Sequence, residues 1–391
     1  MDKHEFEILY PLGKTRLFHT FPRRGLISDL MLPGAVLYKI FASRVRRTRL
    51  KHRRAGGHDT VISIGNIEVG GNGKTPFAIY LIRRLVDLGH RPIYVSRGFK
   101  SSAEKLGVVT VLIPESFESQ SWAVPGVRVL RVGSGPLTRA IGDEGAVVMT
   151  QCSRIPLLFC RDRQRAIDVA REMFDPTHIV IDDAFQTWAV ARDVDVVLLD
   201  AADPLGNGRL VPAGSLREGP EVLARAHVVG FNDLGSGVDL RAMSNWVSSL
   251  TGRQIPVFGI RRSLSILDTD SRTPVKMNEG PSASMSSVGR PERFERALLG
   301  LGIDLRVSIR LPDHHRYDRS DIDRIERMLS DRGVHQLVVT EKDWVKLREL
   351  DRLPGRLWVA RLELDIVGED PVLLCEKPQA LPAAFSTRRS T

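Results

Sequence analysis

Lys74 and Thr75 follow Gly70, Gly71, Asn72 and Gly73, after the apolar run "TVISIG" and at the start of an amphipathic stretch, residues 75–90. Glycines let a turn curl until its backbone N–H groups point at phosphate oxygens, and a helix start adds positive potential. In that setting Lys74 would reach the β- and γ-phosphates of ATP, and the Thr75 hydroxyl would ligate Mg²⁺. The usual pattern asks for a further glycine five residues before Gly73, where this chain has Glu68. Gly70, Gly71 and Gly73 still open the turn. With a strand before it and a helix after it, the loop reads as a nucleotide site rather than a tight turn with an incidental lysine.

Asp182 and Asp183 end the run "HIVIDD". Acids at the C-terminal edge of a parallel sheet, beside a phosphate loop, are placed to hold Mg²⁺. "GDEG", residues 142–145, puts Asp143 and Glu144 after a glycine in an expected loop. That is a general base, a metal contact, or a turn with solvated acids. "LPDHHRY", residues 311–317, gathers Asp313, His314 and His315 after an expected strand. A histidine beside a carboxylate is a tuned base or simply a surface loop.

Short β-rich apolar runs alternate with amphipathic stretches from about residue 58. Strands are expected at 60–65, 91–99, 177–183, 194–202 and 226–233, and helices at 75–90 and 163–174. Apolar runs without alternation suit strands covered on both faces, so the fold class is α/β, a mainly parallel sheet flanked by helices. The polar stretch 263–284 interrupts the rhythm as a linker, and residues 291–343 alternate again as a second, smaller α/β unit.

The three cysteines have no metal-ligand spacing, which points to a reducing compartment and away from a disulfide scaffold or zinc site. Of the +10 net charge, most comes from "RVRRTRLKHRR", residues 44–54. Before it lies "GLISDLMLPGAVLYKIFA", residues 25–42, interrupted by Asp29, Pro33 and Lys39. The interruptions argue against a membrane span, and no signal peptide is evident. An apolar segment followed by clustered arginines suits an anionic membrane face. A nucleic-acid arm is not expected, because neither interleaved aromatics nor a recognition motif accompanies the charge.

Taken in order, "SIGNIEVGGNGKTP", "VSRGF", "GDE", "DDAFQ", "GNGRLVPAGSLRE", "GRPERF", "PDHHRY" and "VVTEKDWVKL" resemble one family, the tetraacyldisaccharide 4'-kinases. In that family the loop likewise lacks the glycine at the position of Glu68. The resemblance implies a P-loop NTPase-like fold with a second smaller domain. It implies ATP- and Mg²⁺-dependent phosphorylation of the 4'-hydroxyl of a lipid-linked glucosamine disaccharide 1-phosphate at the cytoplasmic face of the inner membrane. Residues 1–57 then read as a membrane-associating segment, 58–262 as the kinase domain, 263–284 as the linker and 285–391 as the smaller domain. By similarity, Lys74 and Thr75 hold ATP and Mg²⁺, and Asp182, Asp183 and Glu144 complete the metal environment. Asp143 and His314 deprotonate the sugar hydroxyl, while Arg97 and Arg217 contact phosphate or substrate.

The chain departs from the family at Phe99–Ser101, at Gly145 and at Thr187, where the family has tyrosine and two glycines, proline and histidine respectively. These departures leave a kinase for a different lipid or sugar as the alternative. A nucleotide-binding switch without kinase activity is the other.

Overall fold

A computed structural model of the chain describes residues 7–9, 25–50, 57–71, 73–115, 117, 124–132, 136–269, 273–275 and 280–376. Asn72, the basic residues 51–54 and residues 377–391 lie outside the described residues. The chain divides into two compact units, each built from separate stretches. The larger comprises Phe18–Ser134, Val148–Arg262 and Leu364–Thr391, and the smaller Met1–Leu17, Gly135–Val147 and Ser263–Glu363. This differs from the contiguous division expected above. Where a linker was expected, residues 263–268 continue the strand Val257–Asp268, and residues 282–284 open the strand Ser282–Ser286.

In the larger unit, the strand Thr60–Gly65 lies between His178–Asp182 and Val194–Asp200. Pro92–Ser96 and Leu157–Phe159 extend the sheet on one side, and Val228–Asn232 on the other. All these pairs are parallel; beyond them Val109–Ile113 pairs antiparallel with Leu157–Phe159, and Val127–Arg131 runs parallel to Val109–Ile113. The strands are nearly continuous runs of buried residues because both faces are covered. One core joins Val61, Ile93, Ile179 and Ile181 to Ile167 and Ala170 of the helix Arg163–Phe174. Another joins Ile67, Val197, Leu199 and Phe231 to Phe185 and Leu223. Ile64 pairs with Asp182, so the loop after Gly65 and the acid pair leave the sheet at the same C-terminal edge. Neighbouring strands there lead to opposite sides, as at the crevices where open α/β sheets take ligands.

The smaller unit is also a parallel sheet, with Ser282–Ser286 between Leu305–Arg310 and Gln336–Thr340. Its core packs Met285, Ile309 and Val339 on Ile322 and Ile325 of the helix Arg319–Asp331. That helix starts in a capping box, Asp318 with Asp321. The expectation of a loop at "GDEG" gives way to a broken helix, Leu137–Gln151. Gly142 has φ 85° and ψ 163°, a backbone open only to glycine, so the chain breaks there and Asp143 and Glu144 open a new helical stretch.

The helices Leu26–Leu30 and Leu32–Leu50 belong to the larger unit. Pro33 sits in the first turn of the second, where it costs no hydrogen bond. Leu30, Val36, Leu37, Ile40 and Phe41 are exposed on them, while Ser28 and Ala35 are buried. Among the described residues no helix is long and apolar enough to cross a membrane.

Candidate active site

The helix Lys74–Asp87 starts directly from the phosphate-loop glycines. Its N-cap, Gly73, has φ 70°, and a Cβ there would meet Asn232 Oδ1 at 3.2 Å. Gly73 has no side chain with which to cap the helix, and the leading N–H groups of a helix are donors for an anion. Lys74 Nζ donates to Asn66 Oδ1 and to the Gly70 carbonyl, each at 3.3 Å, and lies 3.5 Å from Asp183 Oδ1. Thr75 Oγ1 donates to Asp182 Oδ2 at 2.7 Å, and the Tyr94 hydroxyl donates to the same oxygen at 3.0 Å.

The adjacent acids face different partners. Asp182 is buried against Thr75 and Tyr94. Asp183 turns into the left-handed region (φ 49°), which aspartate tolerates better than most residues. Its carboxylate meets Lys74 and Arg217, the latter at 3.1 Å. Burial alone would raise its pKa, but Lys74, Arg217 and Arg163 outweigh that and hold it below the usual carboxylate range. Arg163, first in its helix, is felt by both acids; burial and then Arg97 lower its own pKa, against the pull of Asp183 and Asp182. Arg97 itself pairs with Glu104 at 2.5 Å.

Glu68 turns out to have its own task. Its Oε1 accepts from Ser215 Oγ at 2.6 Å, Val69 N–H donates to the Ser215 carbonyl at 2.8 Å, and Arg217 N–H to the Ile67 carbonyl at 2.7 Å. The position usually given to glycine is thus one edge of a short ribbon made with residues 215–217.

In the smaller unit, Asp143 and His314 come together across 171 residues of sequence: His314 Nδ1 lies 2.9 Å from Asp143 Oδ2 and 3.1 Å from Oδ1. His314 holds φ 63°, and its N–H donates to the Ser287 carbonyl at 3.4 Å. Lys342 Nζ lies 3.4 Å from Glu144 Oε1 and 3.9 Å from both Asp143 Oδ2 and Asp313 Oδ1. Burial would raise the Asp143 pKa; the bond with His314 and the charges of Lys342, His314 and Lys346 outweigh it and hold the carboxyl well below its usual range. An ionised Asp143 makes Nδ1 of His314 the donor in their bond, while Nε2 faces Asp313 Oδ2 at 3.8 Å. His315 is used otherwise: its Nε2 lies 2.8 Å from Asp321 Oδ2 at the start of the helix Arg319–Asp331.

Among the described residues, no group of three or more His, Cys, Asp or Glu could hold a metal ion. Thr75 and Asp182 are nevertheless hard oxygen donors, the set Mg²⁺ takes when phosphates and water supply the remaining ligands. Glu144, expected beside the metal, belongs to the smaller unit and faces Lys342 there. Asn66, Tyr94, Arg163 and Lys342 were not singled out from the sequence. Asn66 has its role within the loop, with Gly70 and Lys74, whereas Tyr94, Arg163 and Lys342 have theirs through segments far apart in the chain, which no spacing rule marks.

The family model described as tetraacyldisaccharide-1-P 4'-kinase matches residues 27–377. A tetraacyldisaccharide 4'-kinase of Syntrophus aciditrophicus is 33% identical over 333 residues, 82% of each chain. One from Parvibaculum lavamentivorans is 30% identical over 369 residues, 92% of this chain and 94% of the relative. The structure of LpxK from Aquifex aeolicus, described as in complex with ATP, superposes with a TM-score of 0.62 at 22% identity. It covers 90% of this chain and 98% of its own, which shows a shared fold.

Proposed function

The chain belongs to the tetraacyldisaccharide-1-P 4'-kinase family, and from that premise we propose that it transfers the γ-phosphate of ATP to the 4'-hydroxyl of a tetraacyl glucosamine disaccharide 1-phosphate. One observation carries the chemical part: Thr75, beside the phosphate-loop lysine, is hydrogen-bonded at 2.7 Å to an acid at the next strand's end.

Phosphoryl transfer asks a protein for positioning and charge neutralisation more than for covalent chemistry. The N–H groups at the start of the helix Lys74–Asp87 and the Lys74 ammonium receive the β- and γ-phosphates. Thr75 and Asp182 would hold Mg²⁺, which when bound neutralises phosphate charge; Glu144 is a further candidate for its environment. Asp183 keeps Lys74 and Arg217 in place between phosphate encounters, and Arg163 adds positive charge beside the acids. Arg97 and Arg217 are the candidate contacts for acceptor phosphate. Asp143 orients the His314 ring, whose Nε2 takes the proton of the attacking hydroxyl.

The exposed apolar residues of the N-terminal helices suit an acceptor whose acyl chains stay in a bilayer. We infer that these helices lie on the cytoplasmic surface of the inner membrane, without spanning it.

The test is ATP-dependent phosphorylation of the disaccharide 1-phosphate in detergent micelles by wild type, Lys74→Ala and His314→Ala. Transfer by wild type and loss in both variants is expected. A folded, ATP-binding wild type that leaves this acceptor untouched would overturn the acceptor assignment and direct attention to Phe99–Ser101 and Thr187.

A further inference from the structure

The segment "GNGRLVPAGSLRE", residues 206–218, is distinctive in sequence, yet of its residues only Ser215, Leu216 and Arg217 have entered the account above. Its contacts run in two directions. On one side Ser215 holds Glu68 and Val69, and Arg217 holds Ile67 by its backbone and Asp183 by its guanidinium. On the other side lie the N-terminal helices. Ser28 is fully buried, and its hydroxyl donates to the Ala213 carbonyl at 2.6 Å while accepting from Arg209 NH1 at 2.7 Å. Arg209 also pairs with Asp29 at 2.6 Å, and Asn207 Nδ2 donates to the same Ala213 carbonyl at 2.9 Å. Gly34 approaches Pro212 so closely that a Cβ would lie 3.2 Å from its Cγ. Inside the segment, Leu216 N–H returns to the Arg209 carbonyl and Val211 N–H to the Leu216 carbonyl, which makes it a closed unit instead of a loose loop.

We propose that residues 206–217 are a strut that holds the entrance of the phosphate loop against the N-terminal helices, with Glu68, Ser215 and Ser28 as positioning residues for ATP binding. A glycine at 68 serves a phosphate loop whose entrance is held by its own turn. Here the entrance is held from outside, by a carboxylate that reaches the strut. A loop anchored in this way is pre-organised, and loss of the anchor leaves ATP to pay for ordering it. Contact with a nucleotide is not required of any of the three residues. Their effect therefore belongs in affinity, with the transfer step largely preserved at saturating ATP.

This inference rests on the nucleotide reading of the Lys74 loop, and ATP binding without acceptor separates the two. If wild type does not bind ATP, the functional reading itself fails. Given a wild type that binds, calorimetric titration of Glu68→Gly, Ser215→Ala and Ser28→Ala with Mg-ATP tests the strut. Glu68→Gly completes the usual motif, yet it is expected to bind ATP about fivefold or more weakly, as is Ser215→Ala. Glu68→Gln, which still accepts from Ser215, should recover most of the loss. The double variant Glu68→Gly/Ser215→Ala should be little worse than either single one, since both cut the same bond. Ser28→Ala, remote from the loop, should raise the KM for ATP while kcat stays within about twofold of wild type. Far-ultraviolet circular dichroism and thermal midpoints identify variants that fail to fold, and Ser215→Ala, which removes a single hydroxyl, keeps the test available if Glu68→Gly does. ATP affinity unchanged or improved in folded Glu68→Gly and Ser215→Ala would overturn the strut, as would strict additivity in the double variant.

Discussion

Asp343 has no solvent exposure and is the acceptor at the centre of the smaller unit's polar network. Its carboxylate accepts from Ser287 N–H at 3.0 Å, Tyr317 OH at 2.8 Å and Thr340 Oγ1 at 2.6 Å, as well as from the Ser287 hydroxyl. It also pairs with Lys346 Nζ at 3.0 Å, itself only 8% exposed. Asparagine keeps the volume and one acceptor oxygen but removes the charge and turns an NH₂ toward donors. Breaking a buried pair from one side costs about 3–5 kcal/mol, because the remaining charge is left uncompensated. A lost hydrogen bond to a charged group accounts for about 1.5–3 kcal/mol of such a penalty. We therefore expect Asp343→Asn to destabilise this unit by about 4 kcal/mol, lowering its urea midpoint by about 2 M. Trp344 and Trp358 lie in the same unit, so fluorine NMR of the fluorotryptophan-labelled protein follows its unfolding. Asp343→Asn/Lys346→Met removes both charges and should recover about half the loss. A midpoint shift under about 0.5 M for Asp343→Asn, or no recovery in the double variant, would refute the assignment of the penalty to the stranded lysine. Because the Ser287 carbonyl holds His314, loosening Ser287 should also lower kcat more than it raises the KM for ATP.

Arg225 stacks at 3.6 Å from the Phe185 ring centre and 3.7 Å from that of Trp188, and donates to the Phe185 carbonyl. Arg225→Ala should cost about 2–4 kcal/mol in denaturant titration, and Arg225→Lys should not restore it, since an ammonium lacks the planar stacking face. Stability should fall with acid in two stages. Burial, then His90, lowers the His178 pKa, and burial, with Arg253 and Arg192 against Asp195, lowers that of His227, so the unfolded chain takes up protons first below about pH 6.5. Asp143, Asp183 and Asp343, all with depressed pKa values, add a second loss below about pH 4; a flat midpoint from pH 7 to 5 would contradict the first stage. Leu37 and Phe41 are 69% and 68% exposed, and Leu37→Ser/Phe41→Ser should reduce sedimentation with anionic vesicles at least about tenfold, with the fold intact by circular dichroism.

Much of the larger unit is legible in the sequence. The run at residues 60–65, the glycines and the helix after them, and "HIVIDD" are local patterns, and each formed where its periodicity placed it. The candidate base was legible only as separate fragments. "GDEG" was expected in a loop, and its acids instead open a helix because Gly142 takes a backbone that breaks the preceding one. Thr75 and Lys74 could be named from spacing. That Asp182 accepts from Thr75 while Asp183 faces Lys74 and Arg217 could not, because adjacent residues at a strand end diverge only once their neighbours exist.

By itself the amino-acid order determined the strands and helix around the phosphate loop, the loop itself and the family pattern, since these depend on residues a few positions apart. The partners of the candidate site's ionisable groups were decided by the tertiary structure. His314 meets Asp143 across 171 residues, and Glu68 meets Ser215 across 147. Parallel sheets are closed by segments far apart in the chain, so side chains at their C-terminal edges meet through register and topology, which no local pattern encodes.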